Sequence, residues 1–210
     1  MSSWFEKIEQ ELDWRESELT SMKILVITTK NNSTKQALLR SLIVMLYAHY
    51  EGFCKFAWDL YLNGIKQQNL KRNQFCEPIK IFSLKKKFKQ VGGNLSSKFL
   101  WEFFSIELPK MLNEDLEFDS EENQLETKSN LKPKLLKSNL EKINLFCPLI
   151  DEHTVILNSL VEMRNSIAHG EKNLIQELSE YEKYEKAAFD VMYELSLTII
   201  ESLEGQKYLK

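Results

Sequence analysis

The chain has 210 residues, of which 43% are hydrophobic, so it is long enough to bury the core of one domain. Glycine and proline are scarce, with six and four residues respectively, and this composition favours helices. The formal net charge of −3 excludes attraction of a polyanion by the whole molecule, so a nucleic acid would have to meet a local basic patch.

Signals for membranes, export and metals are missing from the sequence. No uninterrupted apolar run is long enough to cross a bilayer, and no basic segment followed by an apolar one predicts an export signal. Cys54, Cys76 and Cys147 are far apart and form no C-x2-C pair, which is typical of reduced thiols in a cytoplasmic protein. The three histidines do not combine with them into a zinc-binding spacing. We expect a cytoplasmic protein without a metal, a cofactor or a membrane partner.

The first predicted element is a helix over about 3–29. Its last residues, 24–29, are β-branched and favour a strand on propensity alone, but no partner strand is evident elsewhere, so we predict that the helix continues. A turn is expected at 31–33, where Ser33 and Gln36 match a capping box.

The second predicted element is one long helix over 34–63. It is apolar almost all round, which is typical of the central helix of a bundle. Its one polar stripe consists of Arg40, Glu51, Lys55 and Asp59.

The middle of the chain predicts less regular structure. Residues 64–93 form a connector with one short helix, and 96–112 form an aromatic-rich helix that Pro109 bends or ends. The following segment, 113–127, holds seven acidic residues and no basic one, which predicts an exposed acidic loop reaching to about 130.

The last third of the chain predicts three more helices, over 132–146, 151–170 and 177–208. Cys147-Pro148 separates the first two. The predicted fold is therefore all-α, a single domain over 1–210 built as a bundle of about five to seven helices around one long central helix.

Arg164 lies on the apolar stripe of its predicted helix, between Leu160 and Ala168. A guanidinium cannot lose its charge, so a partly buried one needs carboxylates, phosphates or carbonyls around it. Five residues later comes His169, and Gly170 then predicts the end of the helix. The last turn therefore carries a fixed cation beside an imidazole, a group that titrates near neutral pH.

This pair has two interpretations. In the structural one, Arg164 pairs with a buried carboxylate and His169 caps the helix, where the helix dipole favours a cation. In the functional one, the two side chains act on a phosphate, since a guanidinium binds phosphate oxygens bidentately and an imidazole transfers protons. The spacing of five residues does not by itself decide between these interpretations. An arginine and a histidine occur at such a spacing by chance at an appreciable rate in a chain of this composition.

The run Arg164-Asn165-Ser-Ile-Ala168-His169-Gly170 resembles the Arg-x4–6-His signature of the HEPN superfamily, all-helical domains that commonly act as ribonucleases. In addition, the run 40–55 resembles the long second helix of the MAE-type HEPN-like nuclease family. The resemblance covers nearly the whole chain and is strongest at 40–62 and 157–170.

The resemblance implies a HEPN-like fold and a metal-independent endoribonuclease whose site forms across a homodimer. The catalytic residues would be Arg164, Asn165 and His169. Many such proteins are toxins held by a neighbouring antitoxin protein or act in defence against phage. The alternative is a non-catalytic HEPN domain that binds RNA or nucleotides, or that partners a nucleotidyltransferase. A helical bundle with a purely structural role is a third reading.

Two further groups are candidates for supporting roles. Glu51 is the acid expected nearest to Arg164 or His169, although a pair with Lys55 one helical turn away explains it equally well. Lys86 and Lys87, in a lysine cluster interleaved with Phe88, would contact the RNA backbone, although charge runs usually form only a solvated face.

Overall fold

Helices are the only extended regular structure in residues 3–171 and 175–210, the part of the chain that the computed structural model describes. Within these residues β-structure is limited to two isolated bridges, Lys71–Asp115 and Phe75–Leu209. The prediction of an all-α bundle is confirmed. The helices are α1 Ser3–Thr28, α2 Asn32–Lys66, α3 Glu77–Ser83, α4 Lys85–Gly92, α5 Ser97–Glu102, α6 Leu108–Leu112, α7 Pro133–Lys142, α8 Leu149–Glu152, α9 Thr154–Ala168 and α10 Leu178–Glu204.

The long helix α2 lies at the centre of the bundle and packs against α1, α9 and α10. Burying each of its large apolar side chains contributes about 1.5–3 kcal/mol, which is why an all-round apolar helix occupies the middle. Its fully buried residues include Leu39, Leu42, Ile43, Leu46, Phe53, Trp58 and Tyr61. The helix begins two residues earlier than predicted, because Asn31 rather than Ser33 is the cap, with its Oδ1 accepting from the Thr34 backbone nitrogen at 3.0 Å.

The β-branched end of α1 is helical, as predicted. Val26 is fully buried there, while Ile24 and Ile27 are more than half exposed. A turn of only a few residues connects α1 to α2, which holds the two helices side by side. Packing of one helical face against α2 therefore outweighs the strand propensity of this run.

One prediction for the middle of the chain was wrong. The connector at 64–93 contains the end of α2, a 3-10 turn at Arg72–Gln74, and the two helices α3 and α4. The predicted helix over 96–112 is present, and Pro109 does not end it: α5 passes through a π-helical turn at Phe103–Glu107 into α6. That turn hydrogen-bonds from Leu108 back to the Phe103 carbonyl, which shifts the register just before the proline that lacks an N–H group.

The acidic segment, residues 113–127, is not a free loop. Three of its own side chains are buried: Leu116, Asn123 and Leu125. The Asn123 amide donates to the Phe82 carbonyl at 2.8 Å. Its carboxylates face the lysines of α4, with Lys86–Asp119 at 2.8 Å and further pairs at Lys85–Glu126 and Lys89–Glu122. Residues 113–130 contain no helix and most of their charges lie at the surface, while these three buried side chains anchor the segment to the bundle.

Within the described residues, no helix combines the length and the apolar character needed to cross a membrane.

Candidate active site

The candidate site lies at the C-terminal end of α9, which ends as the sequence predicts. Gly170 has a φ of +86°, a left-handed conformation that glycine adopts without strain. The Gly170 nitrogen donates to the Ile167 carbonyl at 3.0 Å, and the Glu171 nitrogen donates to the Ser166 carbonyl at 3.0 Å. This pair of bonds is the Schellman arrangement, so the last turn carrying Arg164 and His169 has a fixed end.

Arg164 is half-buried, and its guanidinium has two polar partners and lies over one aromatic ring. Nη1 donates to Asn165 Oδ1 at 2.9 Å and approaches Asn130 Oδ1 at 3.4 Å. The guanidinium also lies over the Tyr47 ring, with Cζ 4.9 Å from the ring centroid. Among the described residues no carboxylate forms an ion pair with it, so its positive charge is not neutralised by the protein.

Glu51 does not reach Arg164 but acts on it through Tyr47. The Tyr47 hydroxyl donates to Glu51 Oε2 and accepts from the Leu131 backbone nitrogen at 2.8 Å. Lys55 donates to the other carboxylate oxygen of Glu51 at 2.6 Å. The predicted pair with Lys55 is therefore present, and the contact between Glu51 and the guanidinium is not.

Burial and these hydrogen bonds move two ionisation equilibria. Burial raises the pKa of the Tyr47 phenol, and its hydrogen bond to Glu51 raises it further, so Tyr47 stays neutral. Burial also acts to raise the pKa of Glu51, but the hydrogen bonds from Lys55 and Tyr47 outweigh it and lower the pKa below its usual value. A neutral tyrosine is thus held rigidly beneath Arg164 by an ionised carboxylate.

His169 lies one residue beyond the end of α9 and is exposed to solvent. Its backbone nitrogen donates to the Asn165 carbonyl at 3.0 Å, which fixes the position of its Cα. The rise from Arg164 to His169 is about 7.5 Å along the helix axis, which is within reach of two groups on one nucleotide linkage. The structure therefore brings Arg164 and Asn165 into contact, with His169 beside them on the surface.

A groove borders this helix end and extends the candidate site along α2. We call it the Val44 groove; it is lined by Ala37, Arg40, Ser41, Val44, Met45, Ala48 and Ile167. The Arg40 Nε atom is buried and has no hydrogen-bond partner among the described residues. Val44 remains 37% exposed, which is unusual for a valine on the central helix of a bundle.

Sequence reasoning did not assign site roles to Arg40, Tyr47 or Asn130. A signal for the first two exists, because Arg40, Tyr47 and Glu51 follow each other at seven and four residues and so share one face of α2. The position of Asn130 follows from the fold of the loop before α7, for which the sequence has no comparable local pattern.

Lys86 and Lys87 lie on α4, apart from the helix that carries Arg164. Lys86 is paired with Asp119 at 2.8 Å, and Lys87 is exposed. Contact of these lysines with RNA stays a prediction, and for Lys86 it would require competition with the acidic segment. Within the described residues, no group of three or more His, Cys, Asp or Glu side chains is arranged to hold a metal ion.

An all-helical bundle with an Arg-x4-His helix end packed beside its long second helix defines a HEPN-type domain. The model of the HEPN_MAE_28990-like HEPN family matches residues 4–208, nearly the full length, and the chain belongs to this family. No curated protein and no solved structure matches the chain.

Proposed function

We propose that this protein is a metal-independent endoribonuclease with Arg164, Asn165 and His169 as its catalytic residues. The observation that carries the proposal is the unneutralised guanidinium of Arg164. It is half-buried, and Asn165 and the Tyr47 ring hold it in place. Among the described residues no carboxylate forms an ion pair with it. A phosphate supplies the anion that such a group lacks, and it matches the two-pronged geometry of arginine.

RNA carries its own nucleophile, so the site needs few groups. The 2′-oxygen attacks phosphorus, the bond from phosphorus to the 5′-oxygen breaks, and the products are a 2′,3′-cyclic phosphate and a 5′-hydroxyl. His169 takes the 2′-proton or protonates the leaving 5′-oxygen. Arg164 stabilises the charge that builds up on the non-bridging oxygens, and Asn165 orients the guanidinium through its 2.9 Å hydrogen bond.

One copy of the chain supplies one His169 and one Arg164, whereas the reaction uses both an acid and a base. A two-fold dimer that places two α9 ends together provides two of each. The Val44 groove is the surface that would bring them together, because it is apolar, exposed and continuous with Ile167 at the end of α9. The proposed enzyme is therefore a homodimer.

The direct test is cleavage of purified RNA by the wild type and by His169→Ala. We expect the wild type to produce fragments and the variant to lose activity by about 10²–10⁴-fold, the range for a lost proton-transfer group. His169 is exposed, so the thermal stability of the variant should match the wild type. His153→Ala is the matched control, because it removes a histidine from the opposite end of α9 and should leave cleavage intact.

Full activity in His169→Ala would refute the catalytic assignment. RNA binding without cleavage by the wild type would favour the alternative, a non-catalytic HEPN domain that binds RNA or nucleotides or partners a nucleotidyltransferase. Collapse of the fold in both His169→Ala and Arg164→Ala would support a structural role for the pair.

The biological role we propose is that of a toxin in a toxin–antitoxin or anti-phage defence system, with an antitoxin protein as its neutralising partner. Membership of a HEPN family supports this role. Induced expression in a bacterial host should arrest growth, and His169→Ala should not. Equal toxicity of the wild type and His169→Ala would show that growth arrest does not require cleavage and would contradict the proposed role.

A further inference from the structure

A cavity of about 490 Å³ lies between the C-terminal half of α2 and the acidic segment. It is lined by Lys55, Asp59, Leu62, Asn63, Lys66, Phe118, Asp119, Ser120, Asn123, Gln124 and Leu125. Its size falls within the range of small-molecule sites in proteins. We call it the Asp59 cavity.

The Asp59 cavity and the candidate active site share one side of α2. Tyr47, Glu51, Lys55 and Asp59 follow each other at four-residue spacing, so they form one gently drifting stripe. The 12 residues from Tyr47 to Asp59 span about 18 Å of helix, a distance that a few nucleotides of single-stranded RNA cover.

The segment that covers the cavity also reaches the active site. Residues between Phe118 and Leu125 line the cavity, and beyond the end of the acidic segment the Leu131 nitrogen donates to the Tyr47 hydroxyl at 2.8 Å. One chain segment thus lies along α2 from the Asp59 cavity to the group beneath Arg164. An RNA strand with its phosphate on Arg164 can extend along this boundary into the cavity.

Two polar side chains in the cavity have free hydrogen-bonding capacity. Among the described residues, neither the Asp59 carboxylate nor the Asn63 carboxamide has a hydrogen-bond partner, although both line the cavity. They lie four residues apart on one helix face, so their Cβ atoms are about 6 Å apart. Both side chains are exposed to solvent, so their polar atoms are accessible to a ligand that enters the cavity.

We propose that the Asp59 cavity binds a guanine base of the RNA substrate, a few nucleotides from the bond that is cut. A carboxylate only accepts hydrogen bonds, and guanine alone presents two adjacent donors, N1–H and the 2-amino group, on its Watson–Crick edge. The Asn63 amide then donates to guanine O6. Adenine and cytosine place a ring-nitrogen acceptor against the carboxylate instead, which is repulsive.

Other wall residues complete a site for a nucleotide. Phe118 is half-buried and offers an aromatic ring against which a base stacks. Lys55 and Lys66 also line the cavity, and they would exchange their carboxylate partners, Glu51 and Glu117 at 2.6 Å each, for the flanking phosphates. The buried Asn123 is held by two hydrogen bonds, its amide donating to the Phe82 carbonyl and its oxygen accepting from the Asp119 nitrogen, so we assign it to the wall rather than to the base.

The inference rests on the proposed ribonuclease function for its substrate, but its test does not depend on cleavage. Calorimetric titration of His169→Ala with GMP, AMP, CMP and UMP measures base preference in a protein that leaves RNA intact. We expect GMP to bind about tenfold more tightly than the other three, the selectivity of one bidentate contact to a base. Inorganic phosphate alone serves as the probe for binding that needs no base.

Asp59→Asn is the decisive variant, because an amide presents one donor and one acceptor and no longer matches guanine. Asp59 is exposed and has no hydrogen-bond partner among the described residues, so the fold should be retained. We expect the preference for GMP to disappear in Asp59→Asn and to remain in Asp13→Asn, which makes the same change at an exposed position of α1. Equal binding of all four nucleotides, or no saturable binding at millimolar concentration, would overturn the proposal.

Mapping of cleavage sites in a single-stranded RNA separates this proposal from the proposed function. Selective GMP binding together with an RNA that no form of the protein cuts would leave the guanine site standing and refute the ribonuclease. Cleavage that does not depend on guanine near the cut, in the wild type and in Asp59→Asn alike, would support the ribonuclease and refute the guanine site.

Discussion

The guanidinium of Arg164 lies over the face of Tyr47, with Cζ 4.9 Å from the ring centroid, rather than against a carboxylate. An aromatic face attracts a cation without neutralising it. Glu51 does not contact the guanidinium; it accepts a hydrogen bond from the Tyr47 hydroxyl. The Tyr47 ring thus orients Arg164 without neutralising it, and in the proposed mechanism the charge is available to a phosphate.

This relationship predicts a small loss of stability in Arg164→Ala. The variant loses a cation–π contact worth about 0.5–1 kcal/mol, and it leaves no buried carboxylate without a partner. A direct ion pair with Glu51 would have made the loss about 3–5 kcal/mol. Urea unfolding of the wild type and the variant distinguishes the two cases.

Tyr47→Phe is the matched comparison for that experiment. It removes the hydroxyl that accepts from the buried Leu131 nitrogen and donates to Glu51, and an unsatisfied buried group costs about 1–3 kcal/mol. We therefore expect Tyr47→Phe to lose more stability than Arg164→Ala. The reverse order would mean that Arg164 is primarily a structural residue.

The helix end that carries the site could be predicted from the sequence because its determinants are local. Arg164, His169 and Gly170 lie within seven residues, and a glycine stop requires no knowledge of the rest of the fold. The central position of α2 could also be predicted, since an all-round apolar helix has no stable place at the surface.

The contacts around the site could not be predicted, because they depend on tertiary packing. Glu51 was expected near Arg164 on the grounds that two helices must touch, but which acid reaches which base depends on side-chain rotamers and on Tyr47 between them. The anchoring of the acidic segment could not be predicted for a similar reason. Its charge dominates the sequence pattern, whereas three buried residues decide where it lies.

Cleavage should persist in EDTA, because the proposed chemistry uses only the 2′-hydroxyl of RNA, Arg164 and His169. The fragments should carry 2′,3′-cyclic phosphate and 5′-hydroxyl ends, which mass spectrometry and end-labelling with polynucleotide kinase identify. Treatment with acid should convert the cyclic ends to a mixture of 2′- and 3′-phosphates. Loss of activity in the chelator, restored by Mg²⁺ or Mn²⁺, would contradict this mechanism.

The acidic segment should loosen at low pH through Asp119. Its hydrogen bond from Lys86, and then those from the Glu122 and Glu121 nitrogens, lower the pKa of Asp119 from 3.8 to about 2. Because the folded-state pKa lies below the unfolded one, the contribution is complete above about pH 4 and is lost as the pH falls toward 2. Urea unfolding at pH 5 and at pH 3 measures this loss.

Asp119→Asn and Lys86→Met should each reduce the difference in stability between pH 5 and pH 3, since either change removes the main cause of the shift. An unchanged difference in both variants would show that Asp119 does not hold the segment. The same two proteins address the RNA role of the lysine cluster. If Lys86 contacts RNA, Asp119→Asn frees it and raises RNA affinity, whereas Lys86→Met lowers it.

The dimer should depend on the Val44 groove. Val44 is 37% exposed in the middle of it, so Val44→Lys places a charge where an apolar partner surface is expected. Val155→Lys is the control, because Val155 is 80% exposed at the other end of α9. Sedimentation at micromolar concentration should give a dimer for the wild type and Val155→Lys and a monomer for Val44→Lys. Only the monomer should lose RNA cleavage.

Two outcomes would contradict this prediction. A Val44→Lys protein that remains dimeric would show that the interface lies outside the Val44 groove. A stable monomer that still cuts RNA would rule out a site shared between two copies.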